Sequence, residues 1–435
     1  MKTLYLNGSD RLSRSDLRAA GALPAEVVAS AEAIVADVRE RGDEAVREYT
    51  TRFDGTCPAE FRVPAEKIAA ACDAVGPEFL AALRHAAAQI REFHEHELEH
   101  DWSYERANGV RLGVRVKPVL SAALYVPGGR AQYPSTVLMD SIPAKVAGVE
   151  RVVMLTPPQK DGEISSFTLA AAAVAGVDEV YAVGGAQAIG AAAYGTASIP
   201  AVDVIVGPGN AYVAAAKRAV SGDMVGIDMV AGPSEVCVVA DAAADPRIVA
   251  ADLMAQAEHD PMAACYLVTR DAELVPQVLA QIDELLAQSP RAEITRASLD
   301  DNGVCVVCDS REAVLDTVNL IAPEHLELHC DDADDLLDGV RNAGAIFVGP
   351  WSSEPLGDYV AGPNHTLPTG GTARFSNPLG VWDFVTRSTV IRYSPQGVLD
   401  DAPATETLAA GEGLWAHGLS ARLRRQKLEA GDADA

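Results

Sequence analysis

The chain has 435 residues, 49% hydrophobic but only 5% aromatic, a composition suited to large aliphatic α/β layers. Its formal net charge is −27 at pH 7. A surface that acidic excludes nucleic acid as a partner, because phosphate binding needs a basic face.

The seven cysteines are odd in number, and most sit in apolar runs, as Cys237 does in EVCVVAD and Cys265 in AACYLV. Free buried thiols in a reducing compartment fit that pattern. Cys305 and Cys308 form a CxxC inside the strand-like run GVCVVC. Positions three apart on a strand face opposite sides, so no zinc or redox pair is expected there. The start, MKTLYLNGSDRLSRSD, lacks an apolar core of signal-peptide length. No apolar run reaches the ~18 residues of a membrane span, so the expectation is no membrane partner and a cytoplasmic location.

In chain order, residues 25–50 read as an amphipathic helix broken at Arg41-Gly42. Residues 64–100 give two more helices, divided near Gly76-Pro77. The second ends in REFHEHELEHD, where His96-Glu97-Leu98-Glu99-His100 matches the HExxH spacing of zinc peptidases. From Arg91 to Asp101 only Phe93 and Leu98 are apolar, so the stretch reads instead as a solvated helix end. It lacks the core walls that keep a metal-bound water dry.

From Val110 the period changes to two. Val110, Leu112, Val114 and Val116 alternate with polar residues or glycine, as on a half-exposed strand. A buried strand then runs to Val126. Further strands are expected at 151–155, 179–183, 202–206 and 224–228, with helices between them. A second series has strands at 235–240, 264–269, 303–308, 326–329 and 345–349, and a helix over Asp245–His259. Short apolar strands separated by helices mean parallel sheets covered on both faces. The fold class is therefore α/β, with two Rossmann-like parallel-sheet units, duplicated and incomplete. An N-terminal helical segment and a small C-terminal extension complete it. The expected domains are 1–120 plus 236–380, then 121–235 as the nucleotide-contacting domain, then 381–435 as the extension. The acidic end, EAGDADA, is expected to fray.

The strand ends carry the chemistry. In doubly wound sheets ligands bind beyond the carboxyl ends of strands. Here those ends hold Pro127-Gly128-Gly129, Gly184-Gly185 and Gly207-Pro208-Gly209-Asn210. A nucleotide site and plain tight turns needing positive φ are both open readings. Gly207-x-Gly209 is half of a dinucleotide fingerprint, with Tyr212 at the third glycine position and Asp228 at ribose-binding distance. Gln256 and His259 share a helix face, as half of a metal site or as helix-end residues. Asp358, Asn364 and His365 lie in a Gly/Pro-rich loop, where an aspartate is ordinarily a turn residue. Glu412 and His417 lie near a terminal helix. Glu324-His325 is either a solvated pair or, at a strand mouth, a proton-transfer pair. A non-catalytic two-lobed binding protein fits two α/β units as well.

Eight ordered blocks carry a resemblance: YVPGGRAQYPSTVLM, GGAQAIGAAAYGT, VDVIVGPGNAYVAAAKR, AGPSEVCVVAD, AQAEHDP, APEHLEL, GDYVAGPNHTLPTGGTARF and EGLWAH. In that order they resemble the histidinol dehydrogenase family, over roughly 120–420 and more loosely before. The resemblance implies a zinc-dependent, four-electron oxidation of L-histidinol to L-histidine with two NAD, the last steps of histidine biosynthesis. It implies Gln256, His259, Asp358 and His417 as zinc ligands and Glu324 and His325 as the proton-transfer pair. It implies Tyr125, Gln187 and Asn210 at NAD, and Ser234 and Glu412 with Gln256, His259, His325, Asp358 and His417 around the substrate. It also implies a homodimer in which the C-terminal part of one subunit completes the other's site. Val230 stands where many members have Pro, a change that removes none of these residues. HExxH at 96–100 is not a family motif.

Overall fold

A computed structural model of the chain describes residues 1–8, 10, 12–17, 23–128, 132–230 and 232–431. Gly129, expected in the first glycine turn, and the last four residues of the acidic end lie outside the described residues.

The chain forms two compact units, one of Met1–Glu97 with Val119–Phe384 and one of Leu98–Pro118 with Val385–Ala435. The first unit opens with strand β1 (Lys2–Leu6), one helical turn at Arg14–Leu17 and then four longer helices, Ala25–Arg41, Asp43–Asp54, Ala65–Ala74 and Pro77–Glu95. The breaks fall where the sequence places them, at Gly42 and Gly76, and Pro77 opens its helix at a position that needs no N–H.

In the second unit, β2 (Trp102–Glu105) and β3 (Arg111–Pro118) form an antiparallel pair that the distant strand β14 (Val385–Arg392) extends in the order β14-β3-β2. Two helices follow, Pro395–Gly411 and Trp415–Glu429. They are clasped by Arg422 and Arg425, which donate to Glu406 at 2.8 and 3.0 Å.

Two parallel sheets build the rest of the first unit. One holds β4 (Ser121–Tyr125), β5 (Arg151–Thr156), β6 (Glu179–Ala182), β7 (Val204–Val206) and β8 (Gly226–Ile227), in the order β6-β5-β4-β7-β8. The other holds β9 (Glu235–Ala240), β10 (Ala264–Thr269), β11 (Gly303–Cys308), β12 (His325–His329) and β13 (Ala345–Val348), in the order β1-β11-β10-β9-β12-β13. Apart from β1, the two orders are the same: third, second, first, fourth, fifth. That is the shared doubly wound plan that the two strand series suggested.

The central strands of each sheet are buried on both faces because most of their side chains are apolar. In β9, Val236, Val238 and Ala240 enter one core and Cys237 and Val239 the other. Cys305 and Cys308 likewise fall in opposite cores, so the CxxC makes no pair, and all seven cysteines are free thiols. Each fully buried Val or Leu contributes roughly 1.5–3 kcal/mol.

Within this unit the loop after residue 357 is fastened to the Pro134–Ala147 helix by polar bonds. Asn364 donates to the Met139 carbonyl at 2.6 Å, and Thr366 donates to Asp140 Oδ1 at 2.8 Å. Asp140 is fully buried, and burial raises its carboxyl to about 8; the nearby Asp228 carboxylate adds to this, while Thr366 and Lys217 oppose it. The folded state therefore keeps a proton that the unfolded chain releases near 4. Its stabilising contribution is full below that pH and is lost as pH rises through about 8. Asp140→Asn should flatten the decline of Tm between pH 5 and 9 relative to the native chain. Equal slopes in the two proteins would show that Asp140 does not hold its proton.

Candidate active site

Strand β12 has the pattern His-Leu-Glu-Leu-His. Leu326 and Leu328 point into one core, so His325, Glu327 and His329 share the other face. Facing them is the Pro246–Ala257 helix, capped by the Asp245 side chain, with Asp252 and Gln256 one turn apart. Gln256 is fully buried. Its Oε1 lies 3.1 Å from His325 Nδ1, and its Nε2 lies 3.2 Å from His259 Nδ1 just beyond the helix end. The Glu235 carbonyl is 3.3 Å from the same His325 nitrogen. Glu324 turns back to accept from the Glu235 N–H at 2.8 Å. Ser234, half-buried, immediately precedes β9, and its backbone carbonyl accepts from the Ala264 N–H at 3.0 Å. Ala322, two residues before Glu324, has φ 50° and is the one non-glycine residue with positive φ among those described. A buried alanine in that region is strained, and strain of this kind clusters at functional sites.

Asp358 comes from a turn of π-helix, Gly357–Ala361, a widened turn often found at functional sites. A Cβ on Gly357 would strike the Phe347 ring, which itself leans on His325. Asp358 Oδ1 lies 3.3 Å from His325 Nε2. The carboxylate of Glu354, buried at the start of the same segment, is 4.0 Å from His325 Nδ1, and that of Glu324 is 3.9 Å away. His325, Glu354 and Asp358 each offer one ligand atom, all within 4.8 Å of one another.

Three carboxylates around one buried imidazole set the electrostatics. Burial alone would lower the His325 pKa, but Glu354, Glu324 and Asp358 overcome it and hold the imidazole well above its ordinary value. Burial pushes Glu324 up to about 7, a value suited to proton exchange near neutrality. Burial likewise lifts Glu354 to about 8. The protein around the His259 ring holds that imidazole below its usual value, which favours the neutral, ligating form.

A separate cleft of about 680 Å³ opens at the carboxyl ends of β4 and β7 and is lined by Tyr125, Gln187 and Asn210 among others. Tyr125 closes β4, and its hydroxyl accepts from the Gly185 N–H at 3.0 Å. Asn210 caps the Ala211–Val220 helix through the N–H groups of Tyr212 and Val213. Gln187 is buried with both amide atoms lacking hydrogen-bond partners, so it has donor and acceptor capacity to spare. Gly207, at φ 104°, packs against the Tyr125 backbone where no Cβ would fit. Asp228 does not face a ribose. It is buried, paired with Lys217, and accepts from the Gly207 N–H at 2.9 Å.

The geometry so far is one imidazole among candidate ligands and a cleft at a glycine-rich sheet edge. The sequence profile of histidinol dehydrogenase matches residues 18–425. A histidinol dehydrogenase of Bacillus subtilis is 46% identical over 428 residues, covering 98% of this chain and all (100%) of its own. One from a Synechococcus species is 51% identical over 403 residues, covering 92% and 93%. The crystal structure of the Elizabethkingia anophelis histidinol dehydrogenase superposes with TM-score 0.92 at 36% identity, covering 99% of each chain. The chain belongs to the histidinol dehydrogenase family. It is an oxidoreductase.

Of the residues that membership brings into question, the first unit gathers Gln256, His259, Glu324, His325 and Asp358, and places Tyr125, Gln187 and Asn210 along one cleft. Glu412 and His417 belong to the second unit, exposed on either side of the Gly413 turn between its two helices. His365 and Asn364, which share the Gly/Pro-rich loop with Asp358, have structural partners. His365 Nδ1 meets the Asp358 carbonyl at 3.0 Å, and Asn364 is engaged with Met139 and Thr366. The HExxH stretch builds no metal site, because the helix ends at Glu95. Glu97 instead accepts from the buried His94 at 2.7 Å and from the Val381 N–H at 3.0 Å. Sequence reasoning missed Glu354, Glu327, His329 and Asp252; the alternation in HLELH was the one available signal. Among the described residues no helix is long and apolar enough to cross a membrane.

Proposed function

We propose that this chain oxidises L-histidinol to L-histidine through bound histidinal, passing two hydrides to two molecules of NAD with one zinc ion per subunit. The reaction would complete histidine biosynthesis. The observation that carries the reading is the buried His325 imidazole, joined at one nitrogen to Gln256 and at the other to Asp358, with Glu324 beside it.

Gln256, His259 and Asp358 supply an amide oxygen, an imidazole and a carboxylate, a donor set that suits zinc and leaves room for further ligands. The buried, unpartnered Glu354 Oε2 beside them and the crowding of carboxylates around His325 fit a cation in this place. His417 of the partner subunit would complete the set, with Glu412 of the partner subunit at the substrate, in a homodimer. Zinc bound there would anchor the substrate's amine and ring nitrogens. His325 in its neutral form takes the hydroxyl proton as the first hydride leaves, hands that proton on to solvent through Glu324, and then takes a proton from the aldehyde hydrate as the second hydride leaves. Glu324 helps water add to the aldehyde. Ser234 contributes to holding the substrate. Tyr125, Gln187 and Asn210 line the NAD cleft, and the unpartnered Gln187 amide is matched to the nicotinamide carboxamide or a ribose hydroxyl. The seven free thiols suit the reducing cytoplasm as the compartment.

The test is NADH absorbance with histidinol, zinc and NAD. The expected result is two NADH per histidinol consumed, with histidine as product. One NADH and released aldehyde, or none, would overturn the reading.

A further inference from the structure

Behind His325, the same face of β12 carries Glu327 and then His329, and the facing helix carries Asp252 one turn before Gln256. Gln256 meets His325, and Asp252 meets the deeper pair. His329 Nε2 lies 3.4 Å from Glu327 Oε2 and 3.6 Å from Asp252 Oδ2. Glu327 is 0% exposed, His329 4% and Asp252 7%. These three atoms have no hydrogen-bond partner elsewhere in the described structure. Two carboxyl groups this deep need a counter-charge or a shared proton, and an imidazolium between them supplies it.

Glu327 has a second oxygen, and its use is specific. Oε1 accepts from the backbone N–H of Glu354 at 2.7 Å. Glu354 opens the short helical turn that runs without a break into the π-helical turn bearing Asp358. A displacement of the Glu354 amide therefore passes within four residues to the Asp358 carboxylate, which stands 3.3 Å from His325 Nε2. One side chain on the rigid sheet thus holds the start of a non-sheet segment that the site depends on.

We propose that Glu327, clamped by His329 and Asp252, is the positioning residue that sets the Glu354–Asp358 segment against His325. The role of Asp358 as a ligand rests on the function proposed above. The anchoring of the segment does not.

Two conservative variants separate reach from charge. Glu327→Gln keeps the length and an acceptor oxygen but removes the charge. Glu327→Asp keeps the charge but draws the acceptor back by one methylene. In the full-length protein, hydrogen exchange of residues 354–361 should be about tenfold faster in Glu327→Asp and within about threefold of native in Glu327→Gln. Zinc affinity, read by competition with a chelator, should fall roughly 10-fold in Glu327→Asp and stay within about threefold in Glu327→Gln, the scale seen for residues that orient ligands. Exchange in β4 and β7 serves as the control for intact folding. Equal exchange in the two variants, or a larger change in Glu327→Gln, overturns the proposal. If the native protein bound no zinc, the metal reading would fall, while the exchange contrast would still decide the anchoring.

Discussion

Replacing His325 with Asn is expected to lower kcat for histidinol oxidation by about 10²–10⁴-fold, the usual worth of a general acid–base group. Asparagine keeps a polar side chain of smaller volume in a buried position and can still bond to Gln256 or to the Glu235 carbonyl, which lie 3.1 and 3.3 Å from the native ring. It cannot take a proton. The three nearby carboxylates raise the proton affinity of the native imidazole, and asparagine cannot carry that proton, so the loss falls on proton transfer. The KM for NAD should hardly change, because the cleft lined by Tyr125, Gln187 and Asn210 is built on the other sheet. Bound zinc should also be retained. That measurement discriminates, since His325 offers a ligand atom within 4.8 Å of those of Glu354 and Asp358. Zinc lost in proportion to activity would make His325 a ligand and not the base.

Mixing two inactive variants should restore activity. His325→Asn damages the part of the site in the first unit, and His417→Asn damages the part proposed to come from the partner subunit. In a randomly exchanged population half of the dimers are mixed, and each mixed dimer has one site with both native residues. About a quarter of native activity is then expected after subunit exchange, following from the symmetry of a shared site. The exposure of Glu412 and His417 on the second unit is consistent with residues that serve another chain. Exchange confirmed by a tagged subunit, with no recovery, would mean that each site is complete within one chain.

The fold was legible where the residue pattern is repetitive. Runs such as EVCVVA and GVCVVC are apolar at every position after the first, and only strands buried on both faces use them so. β1 escaped notice because KTLYL buries only Leu6, which leaves no periodic signal. Strand order was not legible either, since it is decided by which crossovers pack. The rule that ligands meet the carboxyl ends of strands located the cleft of the first sheet. It does not hold for the second sheet, where His325 and Glu235 stand at the amino ends of β12 and β9. The helix that follows β9 runs back and delivers Gln256 to that end. Asp358 was found through a motif alone, because an aspartate among glycines reads as a turn residue. Glu354 was invisible, for in SSEPLGD nothing announces that the glutamate is almost wholly buried. The stretch at His96–His100 shows the reverse, a spacing with a chemical meaning set in surroundings too polar to support it.

β1 has a consequence for how the molecule is made. Lys2 pairs with Val304 and Leu6 with Cys308, so β1 needs a neighbour some 300 residues further along. At about 5–20 residues per second, the ribosome delivers that neighbour on the order of 15–60 s later. The five-stranded sheet of β4–β8 is complete well before then. The nascent chain therefore carries a folded five-stranded sheet while β1 waits unpaired. The six-stranded sheet closes only after translation has passed β13, which ends at residue 348, so its assembly is a later step than that of the five-stranded sheet.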